Sequence, residues 1–259
     1  MRIVLRFLIT FCFITSAYAG VEDGLAAAKN GKYDQAYKLW IGDANKGNAD
    51  AQNNIGVLFE KGLGRPVDLV KARQWYEKAS KGGNASAQNN LGVLLERGAG
   101  GAQDYAKAAE WYREASQKGD RNAMNNLAAM METGRGVPAN LQGAIDLYRK
   151  AAEAGSPQAQ NNLGVLYEKG SGVPKDETQA AQYYRQSALQ GYAAAQNNLG
   201  VLYGTGRGVP LSFIDASYWF TLAAENGDKN GVSNRDAAVR KLPPNELAEL
   251  ERRLANRNK

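Results

Sequence analysis

One nine-residue motif recurs five times in this chain at a constant interval of 36 residues. The copies begin at Ala51, Ala87, Ala123, Ala159 and Ala195 and read AQNNIGVLF, AQNNLGVLL, AMNNLAAMM, AQNNLGVLY and AQNNLGVLY. Such an interval is typical of stacked supersecondary units, each of which is too small to bury its apolar face alone. The repetition therefore predicts a repeat protein that offers a binding surface, not a catalytic pocket.

Each repeat reads as two amphipathic helices joined by a glycine-rich loop. Apolar residues of the first helix recur at helical spacing, as in Ala51, Ile55 and Leu58. A second motif, ARQWY from Ala72 and its equivalents, keeps the same interval and supplies the second helix. Short polar side chains that can cap this helix stand at Asp68, Asp104, Asn140, Asp176 and Ser212. The fold class predicted from these patterns is all-α.

The first nineteen residues have the pattern of a signal peptide. Arg2 and Arg6 precede an apolar run, and Ala17-Tyr18-Ala19 has the small residues that signal peptidases require. We therefore expect cleavage after Ala19 and a periplasmic or secreted protein, with no integral membrane segment once the signal is removed. The alternative is a retained membrane anchor, but the run is short for a spanning helix.

The chain divides into four parts on this interpretation. Residues 1–19 form the signal peptide, 20–50 an N-terminal partial repeat, 51–227 the five repeats, and 228–259 C-terminal capping helices. Terminal units with polar outer faces are what a stack of repeats needs in order to end.

Glycines interrupt the first helices at one recurring position, at Gly56, Gly92, Gly164 and Gly200. Glycine inside a helix costs about 1 kcal/mol relative to alanine. A recurring cost of this kind indicates close approach of two helices, with an aromatic ring of a neighbouring helix seated where the side chain is missing.

These motifs resemble the Sel1-like repeat family, which is related to the tetratricopeptide repeats. The resemblance rests on the Ala-x-x-x-Leu-Gly-x-x-Tyr pattern, the Gly-x-Gly-Val loop and the Ala-x-x-Trp-Tyr-x-x-Ala second helix, and it extends from Ala51 to Gly227. It implies a right-handed superhelical solenoid of helical hairpins that serves as an adaptor for protein partners. A cysteine-rich branch of the family with penicillin-binding activity is not matched.

Paired asparagines occupy the same two positions of every first helix. By resemblance, these helices line the inner, concave curve of the superhelix. The first asparagine of each pair is the candidate ligand contact because an amide both donates and accepts hydrogen bonds and could hold an extended peptide backbone. Valines one turn later would form the apolar floor. The candidate site is thus Asn53, Asn89, Asn125, Asn161, Asn197, Val57, Val93, Val165 and Val201. The alternative is that both amides satisfy buried backbone groups between hairpins.

The residue content argues against catalysis. The chain has no histidine, and its only cysteine, Cys12, lies in the signal peptide, so the commonest acid–base group, the reactive thiol and the usual zinc ligands are missing. We expect no cofactor, no metal and no enzyme. Glutamates recur at Glu60, Glu96, Glu132 and Glu168, and we expect them to be solvated or paired with loops.

The charge pattern limits the classes of partner that the chain is expected to bind. The net charge of +6 falls to +4 when Arg2 and Arg6 are removed with the signal peptide (6 minus 2). No cluster interleaves basic and aromatic residues on one surface, so nucleic-acid binding has little support.

The function most consistent with the sequence is an exported adaptor or scaffold that binds a protein or an extended peptide, in cell-envelope assembly or host interaction. The first alternative is a peptidoglycan- or glycan-binding protein, in which aromatic residues of the second helices stack on sugars. The set comprises Trp75, Tyr76, Trp111, Tyr112, Tyr148, Tyr183, Tyr184, Tyr218 and Trp219. A cysteine-free hydrolase is the second alternative.

Processing can be tested directly. We expect the chain, expressed as residues 1–259 in a secreting bacterium, to begin at Gly20, because Ala17 and Ala19 provide the cleavage site. Intact-mass spectrometry measures this, and Ala19→Leu should block the cleavage. A mass that retains residues 1–19 in the unaltered chain would contradict the prediction.

Overall fold

The computed structural model describes residues 20–257. The predicted signal peptide, residues 1–19, lies outside the described residues. Within residues 20–257 the chain is helical and contains no strand. This confirms the all-α fold class.

Fourteen helices follow one another in the described part of the chain. The first, α1, comprises the helical residues 20–29. The others are α2 Tyr33–Asn45, α3 Ala49–Lys61, α4 Leu69–Lys81, α5 Ala85–Arg97, α6 Tyr105–Gln117, α7 Arg121–Thr133, α8 Leu141–Glu153, α9 Pro157–Lys169, α10 Glu177–Leu189, α11 Ala193–Thr205, α12 Phe213–Glu225, α13 Gly231–Val239 and α14 Pro244–Asn256.

The helices form two compact units. Among the described residues, the first unit comprises 20–123 and 133–139, and the second comprises 124–132 and 140–257. In the first unit, the helices from α2 to α6 pack in chain order, each on the next. The second unit has the same order of packing from α8 to α13, and α14 packs on α12.

The second helix of every repeat begins at the predicted cap. The side chain of Asp68 accepts a hydrogen bond from the backbone N–H of Lys71, and Asp104, Asn140, Asp176 and Ser212 cap their helices in the same way. Each cap residue also donates its own N–H to a carbonyl in the last turn of the first helix, as Asp68 does to Phe59 at 2.9 Å. These bonds close the hairpin loop and fix where the second helix starts.

The first helix ends at a glycine in the left-handed conformation. Gly62, for example, has φ 68° and donates its N–H to the carbonyl of Leu58. An L-residue with a side chain is strained at such a φ, which explains the glycine. The equivalent glycines 98, 134, 170 and 206 have φ between 67° and 72°.

The glycines inside the first helices seat aromatic rings, as the sequence predicts. A Cβ placed on Gly164 would lie 2.6 Å from two ring carbons of Tyr184. The same clash arises between Gly56 and Tyr76, Gly92 and Tyr112, and Gly200 and Phe220. The third repeat carries Ala128 at this position, and it is fully buried in one cluster with Tyr148. The ring of the second helix therefore packs directly on the backbone of the first.

This contact predicts the effect of one substitution. Gly164→Val should lower the free energy of unfolding by about 1–3 kcal/mol or more, because the added side chain overlaps the Tyr184 ring in a packed core. Thermal and denaturant unfolding measure the change.

The matched control is Gly204→Val. Gly204 is also a helical glycine, but a Cβ there meets only the Cβ of Ala216, at an ordinary 3.6 Å. We expect its stability to stay close to that of the unaltered chain. Equal destabilisation by the two valines would contradict the packing explanation.

Candidate functional site

The paired asparagines bond to one another between repeats. In the first unit, Asn90 Nδ2 donates to Asn53 Oδ1 at 3.3 Å. In the second unit, Asn162 donates to Asn125 at 3.0 Å and Asn198 donates to Asn161 at 3.0 Å. The first asparagine of one repeat thus accepts from the second asparagine of the next. The side chains satisfy each other between hairpins and do not bond to buried backbone groups in these links.

The same link continues to α13. Asn234 of α13 donates its Nδ2 to Asn197 Oδ1 at 2.8 Å. This helix, which lies in the segment predicted to form the C-terminal capping helices, therefore carries an equivalent of the second asparagine of the pair. Within the second unit, α13 is linked to the repeats by the polar contact that links the repeats to one another.

Burial divides the predicted site residues into two groups. Asn89 and Asn161 are 8% and 7% exposed, so these two amides offer little surface to a ligand. The other site residues are half-buried, namely Asn53, Asn125, Asn197, Val57, Val93, Val165 and Val201. In each unit, the amide chain and the half-buried valines lie on one face of the first helices, and we call this face the asparagine–valine surface.

A second row of amides, at the glutamine of the repeated motif, was missed by the sequence reasoning. Gln196 Nε2 donates to the backbone carbonyl of Ala188 at 3.1 Å, at the end of the preceding second helix. Its Oε1 accepts from Asn226 at 2.9 Å. Gln52, Gln88 and Gln160 make the same carbonyl bond. Each buried glutamine thus joins one hairpin to the hairpin before it. The recurrence of glutamine in the motif was the signal from which this role could have been predicted.

The third repeat lacks the buried glutamine and also the side chain that would donate to the glutamine oxygen. It carries Met124 at the glutamine position and Ala154 where Gln190 and Asn226 stand in the next two repeats. A glutamine side chain left there would lose the partner for its oxygen, and a buried amide without a partner is destabilising. Because the glutamine and its donor are both absent, no buried amide oxygen is left without a partner at this position.

The recurring glutamates accept hydrogen bonds from buried tyrosines. The hydroxyls of Tyr76, Tyr112, Tyr148 and Tyr184 donate to Glu60, Glu96, Glu132 and Glu168 at 2.6, 3.0, 2.9 and 2.7 Å. Sequence reasoning did not identify these tyrosine partners. Pairing with loops, which it did predict, is present at two positions, because Arg135 lies 3.4 Å from Glu96 and Arg207 lies 3.0 Å from Glu168.

Burial and the neighbouring carboxylate act on these tyrosines in the same direction. Loss of solvation raises the pKa of each hydroxyl above its usual value, and the glutamate that accepts its hydrogen raises the pKa further. The four hydroxyls are therefore neutral donors at every physiological pH. This arrangement holds the two helices of a hairpin together.

Comparison with known proteins places this architecture. The Sel1 repeat family model matches residues 49–84, 85–120, 121–156, 157–192 and 193–228 without a gap. The chain belongs to the Sel1 repeat family. Sel1 repeat proteins generally mediate protein–protein interactions as non-catalytic scaffolds. The matches begin two residues before the repeated motif, at the start of the first helices.

Solved structures of other Sel1 proteins resemble this one. A Sel1 repeat protein from Oxalobacter formigenes is 33% identical with a TM-score of 0.76, over 90% of this chain and 95% of that one. A protective antigen of uropathogenic Escherichia coli with an SLR fold is 31% identical with a TM-score of 0.68. That match covers 94% of this chain but only 54% of the antigen.

An immunity protein from Pseudomonas aeruginosa is 27% identical with a TM-score of 0.52, over 71% of this chain and 66% of that one. No curated protein matches the sequence.

Residues 20–257 lack two further features. None of the helices there is both long and apolar enough to cross a membrane. That part of the chain also holds no group of three acidic, histidine or cysteine side chains arranged to bind a metal ion.

The tyrosine–glutamate pairs predict how stability depends on pH. A pKa that folding raises gives a contribution that is complete below the unfolded value, about 10 for tyrosine. It is lost progressively as the pH rises above that value. We therefore expect the free energy of unfolding of this Sel1 protein to fall above about pH 10, and Tyr112→Phe to make the fall shallower.

Tyr112→Phe should also cost about 1–2 kcal/mol at neutral pH, because a hydrogen bond to a partly exposed carboxylate is lost. Denaturant unfolding across the pH range measures both effects. Tyr192→Phe is the control, since Tyr192 precedes α11 without a side-chain capping bond. A Tyr112→Phe curve parallel to that of the unaltered chain would contradict the prediction.

Proposed function

We propose that this Sel1 repeat protein is an exported, non-catalytic adaptor that binds a protein partner through an extended segment on the asparagine–valine surface. The observation that carries the proposal is the chain of linked amides beside half-buried valines. The links fix the amides in place before any ligand arrives. A preorganised surface loses little conformational freedom on binding, which favours affinity.

The geometry suits an extended backbone. An amide has two donor hydrogens and two acceptor lone pairs, so a single inter-repeat link does not use its full capacity. First helices joined by a side-chain bond pack at about 8–10 Å, and an extended strand rises about 3.3 Å per residue. Each repeat would therefore meet about three residues of the bound segment, with the valines contacting its apolar side chains.

Burial modifies which residues carry the contact. Asn89 and Asn161 lie mostly below the surface, so their main contribution is to hold their neighbours. The half-buried members, such as Asn125, Asn197 and Val165, would meet the ligand. We therefore place the binding contacts on these half-buried residues and a supporting role on the two buried ones.

Export is the second part of the proposal. It is supported by the basic start, apolar run and Ala17-Tyr18-Ala19 of the first nineteen residues. A role in the cell envelope or in host interaction would follow from export. The description of the Escherichia coli relative as a protective antigen is in keeping with such a role.

The glycan-binding alternative loses its main residues. Tyr76, Tyr112, Tyr148 and Tyr184 are at most 1% exposed, and their hydroxyls are engaged by glutamates. Stacking on sugars would need exposed ring faces. The half-buried Trp75, Trp111, Tyr183 and Tyr218 are what this alternative retains.

The test compares two identical substitutions in the first unit. Val93→Lys places a charge on the asparagine–valine surface, whereas Val70→Lys places one on α4, where Val70 is 54% exposed. The full chain and both variants are cross-linked in envelope fractions of the native cells, and the captured proteins are identified. We expect one partner that the unaltered chain and Val70→Lys retain and that Val93→Lys loses.

Thermal melting of both variants excludes unfolding as the cause. Sedimentation with purified peptidoglycan is run in parallel. Equal capture by both variants would place the partner elsewhere on the molecule. Recovery of wall fragments without a protein partner would favour the glycan-binding alternative.

A further inference from the structure

The fifth repeat breaks the tyrosine–glutamate pattern at both of its positions. Gly204 stands where Glu60, Glu96, Glu132 and Glu168 stand in the earlier repeats. Phe220 stands where those repeats have the donor tyrosine. A buried tyrosine hydroxyl without its acceptor would be destabilising, so loss of both partners keeps the core intact. It also removes a carboxylate and a hydroxyl from one place.

An apolar cavity of about 190 Å³ lies at that place, between α11, α12 and α13. Its lining includes Val201, Gly204, Phe213, Phe220 and Ala238. An apolar protein cavity of about 150 Å³ is large enough to accept benzene. The cavity therefore has room for one apolar side chain.

A single positive charge stands at the rim. Lys241 is exposed and lines the cavity, and its Nζ lies 4.4 Å from the centroid of the Phe213 ring. Among residues 20–257, no carboxylate oxygen lies within 4.0 Å of this ammonium group, whereas the nearby Asp236 is paired with Arg235 at 2.8 Å. The rim thus offers an unneutralised cation beside an apolar hole.

The asparagine links of the second unit lead to this cavity. Asn234 both donates to Asn197 and lines the cavity, and Val201 belongs to the cavity and to the asparagine–valine surface. A segment that lies on this surface therefore reaches the cavity at the last linked amide. An apolar C-terminal residue carries its side chain and its carboxylate on the same carbon, so one residue would satisfy both features of the cavity.

We propose that this cavity binds the C-terminal residue of the partner segment, with an apolar side chain inside and the α-carboxylate on Lys241. The proposal deepens the proposed function and rests on it for the path of the segment. It defines the partner chemically as a protein whose free C-terminus ends in an apolar residue such as leucine.

The probe is the tripeptide acetyl-Ala-Ala-Leu, with a free carboxylate or as the C-terminal amide. Calorimetry with the full chain measures affinity, and amide chemical shifts of Gly204 and Lys241 report the place of binding. Because an ammonium–carboxylate contact is a charge-assisted bond, we expect the free acid to bind about tenfold more tightly than the amide. Lys241→Gln should remove that difference.

A second variant closes the cavity with side chains that the fold already uses. Gly204→Glu with Phe220→Tyr rebuilds the pair of the four earlier repeats, and a Cβ at position 204 meets only ordinary contact. We expect both peptides to lose measurable binding while the melting temperature is kept. If this variant fails to fold, the comparison of acid and amide on Lys241→Gln decides alone.

Three outcomes would overturn the proposal: equal affinity for acid and amide, unaltered binding by the folded double variant, or no binding of either peptide at millimolar concentration. Failure of the proposed function is distinguishable from these. If the peptides do not bind but Val93→Lys releases the cellular partner, the proposal for the cavity is wrong and the proposal for the asparagine–valine surface stands. If the peptides bind as expected but Val93→Lys does not release the partner, the proposal for the cavity stands and the proposal for the asparagine–valine surface is wrong.

Discussion

The contact between an aromatic ring and a bare stretch of helical backbone determines the hairpin of this protein. Tyr76, Tyr112, Tyr184 and Phe220 lie on glycines of the first helices, closer than any side chain at those glycines would allow. The ring fixes the distance between the two helices. It also brings the tyrosine hydroxyl to the end of the first helix, where the glutamate accepts it. Apolar packing and a polar bond are thus set by one contact.

Separate contacts join one hairpin to the next. Buried glutamines bond to the carbonyls near the ends of the preceding second helices. In addition, the first asparagine of one repeat bonds to the second asparagine of the following repeat. Amide side chains suit both tasks because each donates and accepts. The chain holds no cysteine beyond Cys12, so these bonds and apolar burial join the repeats without a disulfide between them.

The sequence predicted the helical hairpins, the caps and the glycine–ring contacts because each leaves a local, periodic trace. Gly164, for instance, has no local reason to interrupt α9, and its recurrence pointed to a neighbour. The glutamine bonds and the tyrosine–glutamate pairs were missed because their partners lie 8 and 16 residues apart, on different helices. Burial of Asn89 and Asn161 depends on how neighbouring repeats pack, which no single repeat encodes. Whether the asparagine–valine surface binds a ligand stays a prediction.

The placement of the tyrosine–glutamate pairs has a consequence for how such a chain can change its length. Both members of a pair, such as Glu168 and Tyr184, belong to a single 36-residue repeat. The asparagine links cross between repeats, but both of their members recur in every repeat. Duplication or deletion of a whole repeat would therefore leave no donor or acceptor orphaned at the new junction. For these two kinds of bond, genetic recombination in units of 36 residues would preserve every partner.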